Sequence, residues 1–179
     1  MGMQYTMDVP LAGPGPYQVR AAVRDQPSGE LGSAYAFLNI PDINRQKLSL
    51  SSLVLSVPPG TADTPGARAS WNEFQAGTTV EFGCEAFGLK PPGTPNLDLE
   101  VRLYRGGEPV VKIPPTAAHF MNRDGRLFLA GTLAIPRDLA AGNYAMEIVT
   151  YDRIAAPKKQ AAEQWADLTV VALLGDDRR

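Results

Sequence analysis

Apolar and polar residues alternate along much of this chain with a period of two. Between Gly15 and Asp25 the apolar positions are Tyr17, Val19, Ala21 and Val23, while Gln18, Arg20 and Arg24 take the other side. That period belongs to an extended strand with one face buried. Pro27-Ser28-Gly29-Glu30 follows as a turn and Ala34 to Ile40 as the return strand, which predicts an antiparallel hairpin. Upstream, Gln4 to Val9 reads as a strand that Pro10 stops.

The same reading continues downstream. Leu48 to Leu55 predicts a strand, bent or bulged at Ser51-Ser52, and Pro58 to Ala67 a long loop rich in Gly, Pro and Thr. Thr79 to Ala86 alternates, with Val80, Phe82 and Cys84 on one face and Glu81 and Glu85 on the other. Pro91 to Pro95 is a rigid connector. Leu97 to Arg105 is the cleanest strand: Leu97, Leu99, Val101 and Leu103 point inward, and Asp98, Glu100, Arg102 and Tyr104 outward. Arg105-Gly106-Gly107-Glu108 turns the chain into a strand over Pro109 to Ile113, and Asn122-Arg123-Asp124-Gly125 predicts a second tight hairpin. Leu127 to Ile135, Tyr144 to Tyr151 and Ala166 to Ala172 complete the strands. Pro157 to Gln164 has room for a turn or two of helix at most, since short isolated helices are marginal.

One pattern occurs twice. GPYQVRAAVRD (Gly15 to Asp25) returns as GNYAMEIVTYD (Gly142 to Asp152). Each copy follows a strand stopped by proline and a short Leu-Ala-Gly connector, and Asp follows Tyr by 8 positions in both. The two segments read as C-terminal strands of two related β modules, in which Tyr17 and Tyr144 anchor the interior.

About seven strands between Leu48 and Ala172 suit an immunoglobulin-like or fibronectin-like sandwich of two antiparallel sheets. The expected fold is all-β: a complete sandwich over residues 46–173, preceded by the C-terminal strands of a similar module over 1–45 and followed by a tail at 174–179. The first 45 residues lack an opposing sheet and leave an apolar face uncovered. Either they dock on the second module, or the strands that complete them lie upstream and the sequence is a fragment of a longer protein.

Composition narrows the function. Among 179 residues, 44% are hydrophobic and 20% charged, with a net charge of −2. Nucleic acid is excluded as a partner, because phosphate binding needs clustered Lys and Arg. No segment approaches the ~20 apolar residues of a membrane-spanning helix. The start of the chain lacks the basic and apolar regions of a signal peptide, and its fit to the myristoylation pattern reads as chance. Cys84 is the single cysteine, so neither an intrachain disulfide nor a cysteine-based zinc site can form, and it reads as a small buried residue.

Several residues suggest a family. Tyr17 to Asp25, Ser28-Gly29, Gly32-Ser33-Ala34, Ile40-Pro41-Asp42 and Leu48 to Leu55 together resemble the C-terminal region of VWFA-related proteins of acidobacteria. There a von Willebrand factor A-like domain precedes β-rich modules. The resemblance covers about residues 15–55 and implies an exported or envelope protein with a binding role. The A domain and its Asp-x-Ser-x-Ser metal motif have no counterpart here, so metal-dependent adhesion carries over to no residue.

Candidate chemistry is thin, and the chain is expected not to be an enzyme and to need no cofactor or metal. His119 is the one histidine, in a loop-like stretch with no acid beside it and no Gly-x-Ser-x-Gly elbow elsewhere. Asp98 and Glu100 could pair as glycosidase carboxylates, but with Arg102 two residues on they read as a solvated outer face. Asn122 to Gly125 offers too few oxygens for calcium. Among the aromatics, Trp71 and Phe74 sit in a loop beside Asn72 and Glu73 and form the candidate ligand surface. The expected role is a non-catalytic spacer and protein-interaction module, secreted or in the cell envelope. The alternative is an accessory carbohydrate- or ligand-binding domain.

Overall fold

A computed structural model describes residues 7–40, 42, 47–58, 72–89, 96–123, 126–155 and 161–172. The chain divides into two compact units, Met1–Ile43 and Asn44–Arg179. All the regular structure among the described residues is strand.

In the first unit, β1 (Gly15–Arg24) pairs antiparallel with β2 (Leu31–Ile40) over ten residue pairs. The predicted turn is built on Asp25. Its backbone N–H donates to the Glu30 carbonyl at 2.9 Å, and its carboxylate accepts from the Ser28 N–H and hydroxyl. The strand expected over Gln4 to Val9 lies partly outside the described residues, and Met7 to Val9 is not strand.

The second unit is an immunoglobulin-like sandwich of two five-stranded sheets. One holds β3 (Ser49–Leu50), β4 (Val54–Ser56), β6 (Thr79–Phe87), β9 (His119–Arg123) and β10 (Arg126–Ala134) in the order β3-β6-β10-β9, with β4 also on β6. The other runs β5-β12-β11-β7-β8, from β5 (Glu73–Gln75), β7 (Leu97–Arg105), β8 (Glu108–Ala117), β11 (Gly142–Asp152) and β12 (Ala161–Val171). Every pairing is antiparallel except β5 with β12.

The expected bend at Ser51-Ser52 is a true break, with β3 and β4 pairing with successive parts of β6. The Ser51 hydroxyl accepts the Glu85 N–H at 2.9 Å, and the Gln164 side chain reaches from the other sheet to donate to the Ser51 carbonyl at 2.9 Å. The break thereby becomes a polar tie between the two layers.

Alternation fixes the core. Val80, Phe82, Cys84 and Ala86 face Leu97, Leu99, Val101, Leu103, Met146, Ile148, Leu168 and Val170, all buried. Each such side chain contributes about 1.5–3 kcal/mol on burial. Gly131 lies against the Phe82 ring, where an added Cβ would sit 2.3 Å from Cζ, so only glycine admits that ring.

Several predicted boundaries move. β8 runs on through Pro114 and Pro115 to Ala117, which an edge strand tolerates because one row of its N–H groups needs no ladder partner. β12 begins at Ala161, so Ala161 to Gln164 is strand rather than helix. His119 opens β9 rather than lying in a loop, and Phe74 is in β5. Among its described residues the unit contains ten strand segments, β3 to β12, rather than about seven.

Candidate functional site

Pairing register decides what stands on the outer face of the β5-β12-β11-β7-β8 sheet. Arg102, Glu147 and Trp165 form one row across β7, β11 and β12. Tyr104, Ala145 and Asp167 form the next, and Glu100, Val149 and Glu163 the row on the other side. This face was expected to be solvated, yet Glu100 and Glu147 are only 3% and 5% exposed.

Arg102 is the hub. Its Nε and Nη2 lie 2.9 and 2.8 Å from Glu100 Oε1, and its Nη1 3.0 Å from Glu147 Oε2. The Tyr104 hydroxyl donates to the same Glu147 oxygen at 3.0 Å, and Tyr151 donates to Glu100 Oε2 at 3.1 Å. Lys112 Nζ stands 3.5 Å from Glu100 Oε1. Two buried carboxylates thus share one planar cation and two phenols, which satisfies charges that would be costly to bury alone.

The protonation equilibria follow. Burial pushes the Glu100 carboxyl up, but hydrogen bonds from Arg102 and Tyr151 and the charges of Arg102 and Lys112 outweigh it and hold it below the ordinary value. Burial first, then the bond to Glu100, raises the Tyr151 phenol. The Tyr104 hydroxyl and the two carboxylates raise the Arg102 guanidinium further above its already high value. A carboxyl held ionised in this way is unfit to be a general acid near neutral pH. Asp98, the other carboxylate of the candidate pair, is bound to Arg153. The two therefore form separate ion pairs, which corrects the solvated reading without creating an acid–base couple.

The aromatic surface is also elsewhere than expected. Phe74 is 3% exposed and belongs to the core, because β5 lies parallel against β12 and turns its ring inward. Trp71 lies outside the described residues. The aromatic pair on the surface is Tyr104 with Trp165, their ring centroids 5.3 Å apart and tilted by 42°. Trp165 is 45% exposed. Both line an open groove of about 740 Å³ that also includes Asn143, Asp167, Thr169 and the Gly106-Gly107 turn. The Thr169 hydroxyl and Asn143 Oδ1 lie 3.1 Å apart on its rim. Sequence alone could have flagged this face, since Tyr104, Val149, Tyr151 and Trp165 all occupy positions that alternation assigns to the outside.

Two other candidates resolve simply. Cys84 is buried and its thiol is pushed up to about 12 by burial, so no thiolate forms near neutral pH. His119 is exposed and lines an open groove of about 720 Å³ on the opposite sheet, with Val54, Met121, Phe128 and Glu81. Among the described residues no cluster of His, Cys, Asp and Glu could hold a metal ion, and no helix is long and apolar enough to cross a membrane.

A tyrosine corner marks the start of β11. The Tyr144 hydroxyl donates to the Ala140 carbonyl at 2.6 Å, and Gly142, at φ 146°, makes the bend that permits it. This is the feature found near the start of strand F in immunoglobulin-like domains. The Arg105 guanidinium lies 5.5 Å from the centre of the Tyr144 ring. The start of β1 has the same construction: Tyr17 donates to the Gly13 carbonyl at 2.6 Å, and Gly15 has φ 135°.

No family model and no curated protein matches this chain. Among solved structures it is similar to a superoxide reductase (neelaredoxin) from Ignicoccus hospitalis, at 11% identity over 73% of this chain and 87% of that one, with a TM-score of 0.40. A conjugative transposon lipoprotein from Bacteroides eggerthii shares 13% identity over 68% and 96% of the two chains, with a TM-score of 0.33. The CARDB domain of a Pyrococcus furiosus protein shares 13% over 70% and 96%, with a TM-score of 0.31. At these scores the likenesses carry no argument about function. The class of the protein rests on its own sheet order, which is that of an immunoglobulin-like β-sandwich.

Proposed function

We propose that this chain is a non-catalytic spacer and protein-interaction module of a larger exported or envelope protein of the bacterial VWFA-related kind. The observation that carries this reading is the second tyrosine corner. A β-sandwich that follows the corner-bearing hairpin of another such module is the arrangement of a tandem array, in which each module holds its neighbours apart. The side chains on the broad sheet face support an interaction role over a catalytic one, since Asp98, Glu100 and Glu147 are tied to Arg102, Arg153 and Lys112. A photo-crosslinking residue in place of Glu163, on that face, tests the reading in the source organism. Crosslinks to protein in the envelope or secreted fraction are expected; a purely cytoplasmic pool without crosslinks would contradict it.

The groove at Tyr104 and Trp165 favours one alternative, an accessory carbohydrate-binding domain. An exposed indole beside amide, carboxylate and hydroxyl groups suits the apolar face and polar rim of a sugar ring. Tryptophan fluorescence against a panel of soluble oligosaccharides separates the readings. A saturable change that disappears in Trp165→Ala supports carbohydrate binding, and no change across the panel supports the spacer.

A further inference from the structure

The two corner-bearing hairpins agree beyond the corner. In β1–β2, Gly15 stands opposite Ile40, Tyr17 opposite Leu38 and Val19 opposite Ala36. In β11–β12 the same places hold Gly142 opposite Val170, Tyr144 opposite Leu168 and Met146 opposite Ala166. The first strand of each hairpin leads into an aspartate that holds the following loop, Asp25 through Ser28 and Asp152 through the Ile154 N–H. Position for position, β1 is the equivalent of β11.

Their second edges differ. β11 is flanked by β12 and by β7, whereas β1 pairs with β2 alone among the described residues. The consequence is visible in burial. Met146 and Ile148 are fully buried, while Val19, the equivalent of Met146, is 39% exposed, and Val23, the equivalent of Thr150, is 68% exposed.

We propose that the free edge of β1 receives an antiparallel strand of another immunoglobulin-like segment, apolar on its inward positions and acidic opposite Arg20 and Arg24. This rests on the tandem-module reading and goes beyond it by specifying the partner strand. The pairing of β7 with β11 is the template, with Leu103 opposite Met146, Val101 opposite Ile148 and Leu99 opposite Thr150. Transferred to β1, those apolar positions fall opposite Val19, Ala21 and Val23. On the outer face the charge is reversed. Arg20 stands where β11 has Glu147, so the docking strand needs a carboxylate where β7 has Arg102. Arg24 stands where β11 has Tyr151, opposite a position that is already acidic in β7, Asp98. Like charges directly opposite one another destabilise a strand pair. The same rule disfavours a second copy of β1 as occupant, since two copies would crowd Arg20 and Arg24 of each onto one face.

The test uses the full chain and two synthetic peptides of the β7 sequence Leu97 to Arg105, one unmodified and one carrying Arg102→Glu, followed by amide NMR. The Arg102→Glu peptide is expected to perturb and protect β1 amides and to bind about three- to tenfold more tightly than the unmodified one. Arg20→Glu in the chain should reverse that preference. Perturbation of β1 by neither peptide, equal binding of both, or an unchanged order in Arg20→Glu would overturn the proposal. Tyr17→Phe keeps this failure distinct from failure of the tandem reading. If removing the hydroxyl shifts the β1–β2 amides while the peptides do not bind, only the docking proposal falls. If removing it changes nothing in the hairpin, the tandem reading falls first.

Discussion

The β1–β2 and β11–β12 hairpins share a corner, a register and an aspartate where the first strand ends, yet among the described residues one pairs with no further strand and the other lies in the core of a sandwich. Tyr17 and Tyr144 make the same 2.6 Å bond to a carbonyl four residues back. Local chemistry is therefore enough to specify the hairpin, because the positive-φ glycine and the phenol act within a few residues of each other. Burial is not local. It needs β7 on the second edge of β11 and an opposing sheet against its inner face, and together these remove Met146 and Ile148 from water.

The largest expected difference comes from truncating equivalent side chains. Met146→Ala should destabilise the sandwich by about 2–5 kcal/mol, since it leaves a cavity in a closed core. Val19→Ala should change its unfolding free energy by less than ~0.5 kcal/mol. Urea unfolding of the full chain, followed by circular dichroism, reads both. Removing the corner hydroxyls is the next step down. Tyr144→Phe should cost about 0.5–1.5 kcal/mol, the net worth of its hydrogen bond to the Ala140 carbonyl, whereas Tyr17→Phe should move only signals of the first hairpin.

Smaller effects are expected within β11 and its neighbour β7. The Thr150 hydroxyl is fully buried and has no hydrogen-bond partner among the described residues. Thr150→Val keeps the shape and removes the unpaired group, and should stabilise the sandwich by about 1 kcal/mol. The last test is of pH. Because the folded state holds the Glu100 carboxyl below its ordinary 4.5, its contribution is complete above that value and is lost as pH falls through the lower folded one. Glu100→Gln should therefore flatten the acid limb of the stability curve and lower stability at neutral pH. An acid limb as steep as that of the unmodified chain would contradict the ion-pair description.

Much of this architecture was legible in the alternation. Leu97 to Arg105, Thr79 to Ala86 and the break at Ser51-Ser52 fall where the pattern puts them, because one face of each strand is buried and the period shows it. What escaped depends on neighbours. β5 is three residues long and is a strand only because β12 lies beside it, so Phe74 read as a loop aromatic. β8 continues through two prolines because no described strand pairs with its outer edge. Asp98, Glu100 and Arg102 read as a solvated face because only the register of β7 on β11 brings Glu147, 45 residues away in sequence, to Arg102.

Native-state hydrogen exchange on the full chain separates the two equivalent strands, since it reports both in one experiment. The expected result is that the β11 amides exchange only through global unfolding of the sandwich, while the β1 amides exchange by local opening and orders of magnitude faster. Equal protection of β1 and β11 would contradict it.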